Sequence, residues 1–69
     1  MNLIELGKAL KLKMHERELK IKDLVELTGC TKNTLPKVFR GNQNVLLSTY
    51  IKVADALNVT IKYVVEENE

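Results

Sequence analysis

The chain holds one cysteine, one histidine, one proline and no long apolar run, and each scarcity removes a class of protein. Cys30 has no partner for a disulfide within the chain. With His15 as the sole histidine, no three- or four-ligand cysteine/histidine metal centre can be assembled. Neither a metal nor any other cofactor is expected. A lone cysteine fits a reducing cytosol, so a cytoplasmic setting is expected. No stretch approaches the roughly eighteen apolar residues of a membrane span, and the first residues carry no apolar signal core. No acid–nucleophile set accompanies His15, so catalysis is not expected. There is no internal repeat, low-complexity tract or linker, and residues 1–69 read as a single domain. A core of this size is marginal, and without metal or disulfides self-association is the remaining supplement.

What is present is a set of short amphipathic segments with uneven charge. The net charge of +2 is small, but residues 1–42 carry nine basic against five acidic side chains, and residues 43–69 two against four. This split points mildly to an anionic partner for the first part. Leu3, Leu6, Leu10 and Met14 recur at helical spacing from Asn2 to about Arg17, with Ala9 beside them. Glu18 to Lys20 breaks that helix. A second runs from Ile21 to Thr28, with Ile21, Leu24, Val25 and Thr28 on one stripe. Gly29 stands where a left-handed residue ends a helix. Thr31 is placed as the N-cap of a third helix, which runs to Arg40 and stops at Gly41. After a polar loop, Asn42 to Val45, a fourth helix is predicted over Leu46–Leu57, burying Leu47, Tyr50, Ile51, Ala54 and Leu57. In the tail, Ile61, Tyr63 and Val65 alternate as in a strand over about 60–65, which would need a second chain to pair with. A short fifth helix packing Ile61, Val64 and Val65 is the other reading.

The second and third segments, about residues 21–40, form the informative pair. Two short helices joined by a tight glycine-containing turn cross steeply, and Leu24, Val25, Cys30, Leu35 and Val38 would lock the crossing. At 100° per residue, Asn33, Lys37 and Arg40 then fall opposite the core, with Pro36 at its margin and Lys32 on the first turn. That surface has cations and amides but no carboxylate. Lysine can bond guanine O6 and N7, and asparagine adenine N6 and N7.

From Gly7 to about Val59, roughly three quarters of the chain, the sequence resembles the lambda-repressor-like helix-turn-helix family of phage repressors, Cro proteins and bacterial regulators. The matching positions are Leu19, Leu24-Val25, Gly29, Thr31, Leu35, Val38, Gly41 and the closing run Ile51 to Val59. The alternating tail is similar to that of HipB-type antitoxins, in which a strand from each subunit pairs across a dimer. The resemblance implies an all-α, compact four-to-five-helix domain with a dimerisation segment over about 59–66. It implies a homodimeric repressor placing two recognition helices in successive major grooves of double-stranded DNA, about 34 Å apart. Lys32, Asn33, Pro36 and Lys37 would contact bases; Lys20, Lys22, Arg40, Asn42, Gln43 and Asn44 would contact phosphates; Ile61, Tyr63 and Val65 would form the dimer interface. The antitoxin likeness adds a second reading, a protein that neutralises a toxin partner and autoregulates its operon.

Three features depart from the family pattern. Lys20-Ile21 stands where the family has Ser or Thr followed by a phosphate-touching Gln, so lysine charge would have to substitute. Met14 and Phe39 occupy the places of an Arg–Glu ion pair, and a sulfur–aromatic contact between them is expected. Pro36 falls inside the third helix, where a kinked turn is expected at a cost of about 3 kcal/mol; its ring is also suited to a thymine methyl. Cys30 reads as a small apolar residue of the turn, His15 as exposed, and Lys8, Lys11 and Lys13 as a solvated face. Tyr50 and Tyr63 read as core and interface residues rather than a base-stacking platform. Glu66, Glu67 and Glu69 read as a solubilising end.

Overall fold

A computed structural model describes residues 2–61. They form four helices: α1 (Leu3–Glu16), α2 (Ile21–Thr28), α3 (Thr34–Phe39) and α4 (Leu47–Ala56). Each boundary has a local cause. The Asn2 side chain accepts from the Glu5 amide at 2.8 Å and opens α1. The helix closes on Glu18, whose φ of 56° turns the chain so that the Leu19 amide reaches the Met14 carbonyl at 3.0 Å. At the start of α2 the Lys20 amide donates to the Asp23 carboxylate at 2.8 Å, one half of a capping box; a lysine side chain cannot supply the other half. Gly29, at φ 75°, ends α2 as expected.

The core gathers Leu6, Leu10 and Met14 of α1, Leu24 of α2, Leu35, Val38 and Phe39 of α3, and Tyr50, Val53, Ala54 and Leu57 from α4 and its end. The main packing pairs are α1 on α3 and α2 on α4. No buried polar side-chain atom among the described residues lacks a hydrogen-bond partner. The α1–α3 contact is backbone on backbone. A Cβ on Gly7 would lie 2.5 Å from the Val38 carbonyl oxygen and 2.7 Å from that of Phe39. A Cβ on Gly41, just past α3, would lie 2.6 Å from the Ile4 backbone. Gly41 also has φ 73°, which lets the Asn42 amide turn back to the Lys37 carbonyl at 3.0 Å.

The burial pattern of α4 corrects one expectation. Leu47 and Ile51 are 43% and 45% exposed, and Val53 is buried in their stead. The buried stripe is Tyr50, Val53, Ala54 and Leu57, at the i, i+3, i+4, i+7 spacing of one face; Leu47 and Ile51 sit on its flank, where none of the four helices covers them. They line a hollow with the half-buried Ile61. Of the proposed strand, Thr60 and Ile61 have no regular structure, and the rest, including Tyr63 and Val65, lies outside the described residues. Among the described residues no helix is long and apolar enough to cross a membrane.

The backbone docking yields a prediction. Gly7→Ala forces carbonyls of α3 to move and should lower the unfolding free energy by about 2–3 kcal/mol, the upper part of the range for overpacking, because the clash is with backbone. Thermal denaturation should show a fall of roughly 10 °C or more. An unshifted transition would mean that α1 and α3 do not touch backbone to backbone.

Candidate nucleic-acid interface

The turn between α2 and α3 is built from hydroxyl bonds. Thr28 Oγ1 donates to the Leu24 carbonyl at 2.6 Å and accepts from the Cys30 amide at 3.1 Å. Thr31 Oγ1 accepts from the Thr34 amide at 3.2 Å and bonds the Thr34 hydroxyl at 2.9 Å. Thr31 thus caps the third segment as expected, but Lys32 and Asn33 form a turn and the α-helix proper starts at Thr34 and ends at Phe39. Arg40 caps its end and Gly41 stops it as expected, so the expected helix was too long only at its start. The reason is Pro36: lacking an N–H, it cannot donate to the Lys32 carbonyl. With the helix beginning at Thr34, Pro36 falls in the first turn, where that N–H would have no helical acceptor.

Burial then sorts the side chains. Leu35, Val38 and Phe39 face inward; Lys37 and Arg40 are exposed, as are Lys32 and Asn33 on the preceding turn, and Pro36 is half-buried. Of the residues expected to lock the crossing, Leu24, Leu35 and Val38 are fully buried, while Val25 and Cys30 pack half-buried against the core. Asn33 makes no side-chain capping bond, so its amide is not used by the helix.

Two hollows flank α3. The first, of about 300 Å³, brings Thr34 and Lys37 together with Asn42, Asn44 and Thr49. Its wall is held by Tyr50, whose hydroxyl donates to the Asn42 carbonyl at 2.8 Å, and by Asn42 Oδ1, which accepts from the Asn44 amide at 2.7 Å. Burial pushes the Tyr50 phenol above its ordinary pKa, so it stays a neutral donor at physiological pH. Gln43 is exposed on the same loop. The second hollow, on the opposite flank, lies between α1 and α3 and includes Met14, Pro36 and Phe39. Met14 and Phe39 are both buried and share this hollow, in place of an ion pair. Neither hollow is lined by a carboxylate, and no Asp or Glu lies between Glu26 and Asp55 in the sequence.

Lys20 and Lys22 are exposed at the start of α2. Because Asp23 occupies the Lys20 amide, that end of the helix offers an anion its lysine side chains rather than this backbone donor. Two basic residues of α1, Lys11 and His15, are exposed as expected and also border the hollow beside α3. No local sequence pattern marks this placement, which follows from the packing of α1 on α3.

Two helices crossing at a capped turn, with the second presenting cations and amides outward, define a helix-turn-helix DNA-binding protein. The chain belongs to the family described as the Cro/C1-type HTH DNA-binding domain, which its residues 9–65 match. No curated protein matches it.

The register of α3 is testable. Pro36→Ala should change stability by less than about 1 kcal/mol in urea denaturation, because the first turn tolerates proline. A gain approaching about 3 kcal/mol would place Pro36 in the helix interior.

Proposed function

We propose that this chain is a homodimeric transcriptional repressor that reads an inverted-repeat operator by laying α3 in the major groove. The observation that carries the reading is the bare, acid-free side of the Lys32–Arg40 segment, a surface that would not repel a phosphate backbone. Lys32, Asn33 and Lys37 read base edges in this proposal, and the exposed edge of Pro36 meets a thymine methyl. Lys20, Lys22, Arg40 and the Asn42–Asn44 loop hold phosphates on either side and fix the register. Dimerisation is supported by the small core and by the exposed Leu47 and Ile51, which line a hollow with the half-buried Ile61. The proposed contacts of Tyr63 and Val65 fall outside the described residues. The antitoxin reading rests on the tail's resemblance alone and stands second.

Selection from random duplex DNA followed by band shifts tests the assignment. The selected site should be an inverted repeat. The Asn33→Ala, Lys37→Ala double variant should bind it about 30-fold or more weakly, from about 1–3 kcal/mol for each base contact. Undiminished binding by the double variant would remove α3 as the reading element.

A further inference from the structure

The hollow between α1 and α3 has a composition that suits one ligand chemistry. Met14, Pro36 and Phe39 supply apolar lining, and Lys11, His15 and Arg40 supply cationic or donor groups. Its volume is about 340 Å³. Lys11, His15 and Arg40 are exposed, and none has a carboxylate within 4 Å among the described residues; the one ion pair there joins Lys13 to Glu16 at 2.9 Å on another side of α1. Unspent positive charge beside an apolar surface calls for an anion with an apolar body. The hollow is also continuous with the recognition segment, since Pro36 and Arg40 belong to both.

Resting on the DNA-binding reading above, we infer that this hollow seats one sugar–phosphate unit of the bound duplex, with the deoxyribose against Met14, Pro36 and Phe39 and the phosphate held by Lys11, His15 and Arg40. A duplex lying along α3 has a backbone on each side of the groove. The Lys37–Asn44 hollow faces one flank of the helix and the Lys11–Arg40 hollow the other. The two hollows thus grip opposite strands, and Lys11 and His15 become backbone-positioning residues of α1. They carry no sequence preference, so their loss weakens binding to specific and random duplexes alike.

The experiment is the salt dependence of duplex binding by the full chain. Each phosphate contact contributes about 0.9 to the slope of log affinity against log salt. Lys11→Ala should lower the slope by about that amount, so that affinity lost between 50 and 200 mM salt shrinks by about threefold. Lys11→Arg should restore the slope. Lys13→Ala, which removes the same charge from a paired position, should leave it unchanged, and circular dichroism should show all three variants folded. His15→Ala should weaken specific and random duplexes by the same factor. A wild-type slope in Lys11→Ala, with Asn33→Ala, Lys37→Ala still impaired, overturns this inference and leaves the DNA reading standing. The same holds if a small aromatic carboxylate binds the hollow without competing with duplex. Failure of the wild-type chain to bind any duplex overturns both.

Discussion

The close approach of α1 to the end of α3 is the constraint on which the site depends. A six-residue helix cannot hold its own shape in water, because its nucleation cost is not repaid by so few hydrogen bonds. Tertiary docking must fix it. Gly7 and Gly41 bring the two backbones together without intervening side chains, and Leu6, Leu10 and Met14 bury alongside Leu35, Val38 and Phe39. Each fully buried aliphatic side chain of this kind contributes about 1.5–3 kcal/mol. Once the inward face is fixed in this way, Lys37 and Arg40 have no option but to point outward. The chemistry of the exposed surface is therefore a consequence of backbone docking on the other side of the same helix.

Parts of this were legible in the sequence because their causes are local. The Gly29 stop, the limits of α2 and the inward Leu35 and Val38 of α3 all follow from residue type and spacing within one turn. The start of α3 was misplaced because a capping threonine and a proline five residues later compete, and the turn at Lys32–Asn33 resolves that competition. The burial of Leu47 and Ile51 was misjudged because helical spacing identifies an apolar stripe but not how wide a neighbour covers it. The placement of Lys11 and His15 beside α3 needs the tertiary contact, and no local pattern contains it.

The electrostatic arrangement complements the packing. The long acid-free interval between Glu26 and Asp55 spans the turn, α3 and the following loop, and the Tyr50 bond ties that loop to α4. Cations on the exposed surface attract a duplex at a distance and, once docked, release its counterions. The amide and lysine groups that distinguish bases are few and close together, while the groups suited to phosphate surround them. Such a division, positioning by many contacts and reading by few, is how a small domain gains specificity without a large interface.

The most direct measurement is a titration of the isotopically labelled chain with its selected duplex, followed by nuclear magnetic resonance. The account predicts that amide shifts concentrate on Lys32–Arg40, the Asn42–Asn44 loop and the Lys11–His15 border of α1. Shifts confined to the Leu47–Ile51 face, with the α3 segment unperturbed, would contradict it.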